Sequence, residues 1–151
     1  MHFLDLTLPT IGENLALDEA LLLQAEAGGG EALRSWEWEQ TCVVLGAGGH
    51  KLSGSAQQRK RSYLLHHGTL LYDFDTSPLG RYLRMPARQP EYRHQREHSD
   101  FLMNLPTRRD DLIERLRWAW GANIELTAWP QERVRQLVEE KYSRPEWIRR
   151  R

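Results

Sequence analysis

The chain has 151 residues, the length of one ordinary domain, and carries no net formal charge at pH 7. Hydrophobic residues make up 40% and charged residues 28% of the sequence, a composition that excludes intrinsic disorder and indicates a soluble globular protein. The single cysteine excludes an internal disulfide, no apolar run reaches the roughly 18 residues of a membrane span, and the first ten residues do not resemble a secretory signal, so we expect a cytoplasmic protein.

The N-terminal part is predicted to contain strands and one long helix. Residues 3–8 alternate as a short strand, and apolar spacing predicts a helix from about Glu13 to Ala27. Three glycines, residues 28–30, follow it as a C-terminal helix signal. Two further strands are predicted over residues 33–39 and 42–45, and the second is apolar throughout, as in the centre of a sheet.

Residues 51–75 are predicted to form a hairpin. Its first part, Lys51 to Arg61, has the pattern of a strand or extended arm, and Tyr63 to Phe74 has that of a more buried strand. Strands this close in sequence usually pair with each other, here antiparallel. Residues 53–56 carry little side-chain bulk, which lets the backbone approach a ligand or another strand. Lys51 precedes them as a compact cation that suits a carboxylate or phosphate oxygen.

The remainder of the chain is predicted to be mainly helical. A clear helix begins after Thr107 and ends at Gly121, with Ile113, Leu116 and Trp120 as its apolar stripe. The other predicted elements are a short helix ending near Met85, a polar loop through Arg96, a helical turn at 98–102, a strand at 123–127, a helix with Pro130 near its start and a charged tail at 144–151.

Several sequence blocks resemble the lipoate–protein ligase A family, within the biotin/lipoate ligase and octanoyltransferase group. The most specific are Lys51-Leu-Ser-Gly-Ser-Ala-Gln57 and Leu65-His-His-Gly-Thr-Leu-Leu71, which occur at the family's spacing. Residues 13–20 resemble the family's first helix, and Arg34, Trp36 and residues 43–46 resemble the strand pair that follows it. The family's Arg-Arg-x-x-Gly-Gly-Gly segment and several strands are missing, because Gly49 and His50 lead directly to Lys51.

The resemblance implies a fold and a reaction. The expected fold is α+β, a mostly antiparallel sheet with packed helices like the class II synthetase and biotin ligase fold, shortened, in a single incomplete catalytic domain over residues 1–151. The implied reaction uses ATP and Mg²⁺ to activate lipoate or octanoate as an acyl-adenylate. The acyl group then passes to a lysine of a lipoyl domain, in a 2-oxoacid dehydrogenase or the glycine cleavage H protein.

The resemblance also implies site residues. Lys51 is the catalytic candidate, since a fixed cation stabilises charge that grows on acyl and phosphate oxygens. The candidates for binding substrate or adenylate are Ser53, Gly54, Ala56, His67, Gly68 and Thr69, and no protein metal ligand is expected. His66 and His67 should lie on opposite faces of their strand, one towards the ligand and one in a structural role.

Other interpretations of the sequence remain open. The chain could be a non-catalytic or partial family member that binds a partner protein without forming an acyl-adenylate. Cys42 could be an acyl nucleophile, although its apolar strand favours a buried, inert thiol. The basic runs 59–61 and 149–151 could bind nucleic acid, although such runs are usually solvated surface. Unpaired sheet edges left by the missing strands predict self-association.

Overall fold

The computed structural model describes residues 1–37, 53–85, 88–89, 91 and 94–149. The predicted strand at 42–45, Cys42 and Lys51 lie outside the described residues. The chain divides into two compact units: the first comprises Met1–Thr41, Gln58–Leu65 and Ile113–Arg151, and the second Cys42–Gln57 and His66–Leu112.

The elements follow one another in an α+β order, as expected from the sequence. In chain order they are β1 (His2–Asp5), α1 (Ile11–Gln24) with a π-helical turn (Ala25–Gly29), β2 (Ala32–Ser35), β3 (Ser53–Arg59), β4 (Leu64–Leu70), α2 (Leu79–Tyr82), α3 (His98–Phe101), α4 (Arg109–Trp120), β5 (Ile124–Glu125), α5 (Gln131–Leu137) with a π-helical turn (Val138–Tyr142), and α6 (Pro145–Ile148). No helix in this described part of the chain is long and apolar enough to cross a membrane.

The first unit contains a three-stranded sheet in the order β2-β1-β5. Both neighbours run parallel to β1, which places Phe3 opposite Leu33 on one side and Glu125 on the other. Parallel pairing needs a long crossover, and α1 supplies it between β1 and β2. The expectation of a mostly antiparallel sheet is therefore wrong for this sheet.

Helix α1 contributes more buried residues to the core of the first unit than any other element. It begins at Ile11 because Thr10 and Glu13 form a capping box, each side chain accepting the other's backbone N–H. Its inner face buries Ala16, Leu17 and Ala20 completely or nearly so. These pack in one cluster with Leu4, Val134, Leu137 and Tyr142. Burial of a side chain the size of leucine contributes roughly 1.5–3 kcal/mol, so this face is a main source of stability. The glycine signal is confirmed, since Gly28 has a φ of 92° where the helix ends.

Helix α4 presents a different face to its neighbours than the sequence predicts. Trp120, expected in an apolar stripe, is 57% exposed, and Trp118 is 85% exposed. Arg117 turns inward instead, with its guanidinium 4.3 Å from the ring centroid of Phe3, and it forms an ion pair with Glu125. Arg117 suits this inward position because its aliphatic stem covers apolar surface while its guanidinium stacks on the aromatic ring.

Self-association of the chain, which was expected from unpaired sheet edges, stays a prediction.

The second unit has a smaller core around α2 and α3. Leu79, His98 and Phe101 are buried there, so the predicted helical turn at 98–102 is confirmed. The side-chain amide of Asn104 makes two hydrogen bonds to the backbone of Phe74. It accepts from the Phe74 N–H at 3.1 Å and donates to the Phe74 carbonyl at 2.9 Å. These bonds fix the chain just after the hairpin.

Candidate functional site

The two signature blocks pair with each other as β3 and β4. Hydrogen bonds give the register of the two strands: Gly54 lies opposite Thr69, and Gln57 lies opposite His66. At the turn, the N–H of Lys60 donates to the carbonyl of Tyr63 at 2.9 Å. A connection this short joins only antiparallel strands, so the hairpin agrees with its prediction.

This register decides which candidates share a face. Residues directly opposite each other in a hairpin point to the same side, and neighbours along a strand point to opposite sides. Gly54, Ala56, His67 and Thr69 therefore lie on one face, which we call the candidate face. Gly68 lies on the other. Along β4, exposed and half-buried residues alternate, with His67 and Thr69 half-buried.

Gly54 and Thr69 are joined across the hairpin. The buried Gly54 donates its N–H to the Thr69 hydroxyl oxygen at 3.2 Å, and the hydroxyl lies 3.5 Å from the Gly54 carbonyl. Thr69 thus fixes the backbone of the small-residue segment. Ser53 is the first residue of β3.

Gly68 has room around it. A Cβ added there would lie 3.7 Å from the Gly54 carbonyl oxygen and 4.0 Å from His66 Nε2, both ordinary contacts. Against the described residues, a small side chain at this position would therefore make only ordinary contacts.

The two histidines lie on opposite sides of β4, as predicted. His66 is exposed, and its Nδ1 lies 3.1 Å from Gln57 Nε2. His67 is half-buried on the candidate face and has partners of its own.

Comparison with known proteins supports the resemblance. Residues 47–108 match the model of the lipoyl protein ligase A/B catalytic domain, a span that contains both signature blocks. This matched segment belongs to the lipoyl protein ligase A/B family. Octanoyltransferase LipM of Kyrpidia tusciae is 37% identical over 112 residues, which cover 66% of this chain and 40% of that protein. LipM of Geobacillus kaustophilus is 32% identical over 112 residues, with the same coverage of 66% and 40%.

A third relative differs in its name. Inactive lipoate–protein ligase 2 of Plasmodium falciparum is 34% identical over 55 residues, covering 36% of this chain and 14% of that protein. No solved structure matches the chain. The chain spans about two fifths of the length of the LipM relatives that it matches.

The N-terminal block that resembles the ligase A/B family forms a structural network. Arg34 donates to Asp18 Oδ1 at 2.6 Å, to Asn14 Oδ1 at 2.6 Å and to the Leu6 carbonyl at 2.8 Å. Burial lowers the pKa of the Arg34 guanidinium, and Asp18 opposes that effect. The fully buried Asn14 also bonds the backbone of Leu8 and Thr10. These side chains hold α1 to β2 and the segment after β1.

Two glutamates, one in α1 and one in the π-helical turn that follows it, have partners that the sequence did not indicate. Glu19 accepts from Lys141 Nζ at 2.6 Å and from the Tyr142 hydroxyl at 2.8 Å. Glu26 accepts the backbone N–H of Ser62 at 2.8 Å and of Tyr63 at 2.7 Å. Contacts over such long sequence separations leave no local signal in residue spacing.

The described residues also limit where a metal could bind. They contain no group of three or more His, Cys, Asp or Glu side chains that could hold a metal ion.

A cleft of about 140 Å³ lies in the first unit, lined by Glu13, Val134, Arg135, Val138 and Glu139. None of these lining residues is a candidate from the sequence.

Proposed function

We propose that this chain takes part in acyl transfer to lipoyl domains, in which an octanoyl or lipoyl group passes to the ε-amine of a domain lysine. The observation that carries the proposal is the strand register, which collects Gly54, Ala56, His67 and Thr69 on one face. A strip of small residues beside one imidazole and one hydroxyl suits a slender acyl chain with a single polar end. The family match and the octanoyltransferase relatives support the same class of reaction.

The transfer step requires stabilisation of negative charge. The neutral amine of the acceptor lysine attacks the acyl carbonyl carbon, and a C–N bond forms. The bond to the leaving group breaks, releasing a thiolate or a phosphate oxygen, and the amine gives up a proton to solvent. We assign Lys51 to the oxygen that becomes negative on the way, because a fixed ammonium stabilises that charge most where water is excluded.

The remaining candidates would position the acyl group. Thr69 already holds the Gly54 backbone, so its contribution is to keep the small-residue segment close to the ligand. His67 can donate to the acyl carbonyl or to a phosphate through a ring N–H. Gly68, on the opposite face by alternation, would contact the adenylate or carrier portion, and we assign Ser53 to the same portion as a candidate from the sequence.

An ATP-dependent form of the reaction remains a proposal. ATP with Mg²⁺ would supply the activated carboxyl group as a mixed anhydride. Mg²⁺ would be held mainly by the nucleotide's own phosphate oxygens. The names of the LipM relatives favour an octanoyl donor that is already activated.

Mass spectrometry of the acceptor tests the proposal. The full chain is incubated with an apo lipoyl domain and, in separate arms, with an octanoyl thioester or with octanoate, ATP and Mg²⁺. We expect the acceptor to gain one octanoyl group in the thioester arm and expect Lys51→Ala to abolish the gain without changing the melting temperature. A gain confined to the ATP arm would assign ligase chemistry. No gain in either arm, under conditions where a LipM relative works, would reject catalysis by this chain.

A second candidate function is binding without catalysis. It is favoured by the relative named an inactive lipoate–protein ligase, which aligns over 55 residues. In this form the chain would bind a lipoyl domain as a partner and leave its lysine unmodified. Calorimetric binding of the domain, together with no mass gain in either arm, would support it.

A further inference from the structure

We infer that the turn of the hairpin is a docking point for an acidic surface on the protein that accepts the acyl group. The inference rests on the function proposed above. The turn consists of Arg59, Lys60, Arg61, Ser62 and Tyr63, and we call it the basic turn. In the sequence alone, its three consecutive cations look like solvated surface.

The backbone of the basic turn is held from two sides. Across the turn, Lys60 N–H donates to the Tyr63 carbonyl at 2.9 Å. From the helix side, one oxygen of Glu26 accepts both the Ser62 N–H at 2.8 Å and the Tyr63 N–H at 2.7 Å. Hydrogen bonds to an ionised carboxylate are about twice as strong as those between neutral groups. The turn is thus preorganised, which reduces the entropy cost of binding a partner.

The cations of the turn are not equivalent. Burial raises the pKa of Glu19, hydrogen bonds from Lys141 and Tyr142 lower it, and the charge of Lys60 adds a smaller lowering. Arg59 and Arg61 are exposed and form no ion pair with any described residue. Two arginines on a fixed turn therefore remain to face a partner.

The surroundings favour a protein over a nucleic acid. Glu26 places a carboxylate against the turn, and it would repel the continuous phosphate chain of a nucleic acid. Nucleic-acid binding also depends on many phosphate contacts, and two free arginines supply few. A protein surface of discrete carboxylates can pair with Arg59 and Arg61 and avoid Glu26. Charge complementarity of this kind speeds association and sets orientation.

Continuity with the hairpin identifies which protein it would be. The strands that emerge from the basic turn, β3 and β4, are those that carry the candidate face. A partner held at the turn would be anchored on the same element that contacts the acyl group. The protein that must approach that element in the proposed reaction is the lipoyl domain with its acceptor lysine.

Binding of a lipoyl domain of net negative charge to the full chain tests the inference, by calorimetry at low and at high salt. We expect the double variant Arg59→Glu/Arg61→Glu to bind roughly tenfold more weakly at low salt, as reversal of two rim charges predicts, and to lose most of the salt dependence. The matched control Arg115→Glu/Arg133→Glu alters two exposed arginines elsewhere by the same net charge. It should bind like the unmodified chain.

Each further outcome separates this inference from the proposed function. If no acyl transfer occurs but the double variant alone loses binding, the docking point stands and the catalytic proposal falls. If transfer occurs and the double variant transfers equally well at limiting acceptor, the docking point is rejected. Equal weakening by the control would reduce the effect to overall charge and reject it too. Single-stranded RNA that binds as tightly, with the same loss in the double variant, would replace the protein partner by a nucleic acid.

Discussion

Arg34 Nη1 lies 2.6 Å from Asp18 Oδ1, and the two side chains are only 4% and 8% exposed. The same guanidinium also reaches Asn14 and the Leu6 carbonyl, so one side chain connects α1, β2 and the segment between β1 and α1. A buried ion pair on its own is weak evidence of stability, since desolvation offsets much of the attraction. Here the additional hydrogen bonds to Asn14 and to the Leu6 carbonyl satisfy most of the N–H donors of the Arg34 guanidinium.

We predict that Arg34→Met destabilises the chain by about 3–5 kcal/mol, because it leaves Asp18 charged and unpaired in the interior. Urea unfolding followed by circular dichroism measures the loss. The control is Arg135→Ala, which removes an exposed pair with Glu132 and should cost less than about 1 kcal/mol. Equal losses in the two variants would contradict the assigned role of the network.

The sequence predicted this region well for a physical reason. Capping boxes, apolar spacing and a glycine terminator are local, so α1 and its end at Gly28 could be predicted from neighbouring residues alone. The family resemblance assigned Arg34 to the strand pair that follows α1, but nothing in its own segment indicates its partners. The parallel order of β1, β2 and β5 was missed, since strand direction depends on the crossover and leaves no trace in strand composition.

The candidate site shows the same division. Alternation along β4 correctly separated His66 from His67, and the short turn fixed an antiparallel pair. The hydrogen bonds from the Ser62 and Tyr63 N–H groups to Glu26 were missed because they span 36 and 37 residues of sequence. Trp120 was wrongly placed in the inward stripe: it is 57% exposed, and Arg117 packs over Phe3 instead.

Stability should depend on the ionisation of Glu19. Burial raises the pKa of Glu19, but hydrogen bonds from Lys141 and Tyr142 outweigh burial and hold the pKa below its usual 4.5. A carboxylate with a lowered folded-state pKa adds stability above the unfolded-state pKa, and that stability is lost as the pH falls through the folded-state pKa. We therefore expect the free energy of unfolding to decline as the pH falls below about 4.5.

Urea midpoints across acidic pH measure this decline. Glu19→Gln should be less stable near neutrality, by roughly 1.5–3 kcal/mol for bonds to a charged group, and should lose less stability on acidification. Tyr142→Phe, which removes one donor, should fall between the two. A slope unchanged in Glu19→Gln would show that other carboxylates control acid unfolding.

Glu26 should determine how firmly the hairpin turn is held. Glu26→Ala removes the acceptor of two backbone N–H groups, so we expect the amide protons of Ser62 and Tyr63 to exchange faster with solvent. Exchange measured residue by residue by NMR reports the change. Glu31→Ala, an exposed glutamate of the same segment, is the control and should leave both amides as protected as before. Unchanged protection in Glu26→Ala would mean that the Lys60–Tyr63 bond alone holds the turn.

We expect substitution to be tolerated at Gly68 and to be destabilising at Thr69. Gly68→Ala places a methyl group at ordinary contact distance from Gly54 and His66, so the unfolding free energy should stay within about 1 kcal/mol of the original. Thr69→Val removes the oxygen that accepts the Gly54 N–H and should cost about 1–3 kcal/mol, because that buried donor loses its partner. Thr69→Ser keeps the oxygen and should recover most of the loss. If Gly68→Ala is stable but abolishes acyl transfer, the glycine is needed by the ligand; if it unfolds the chain, the packing around this strand is tighter than these distances allow.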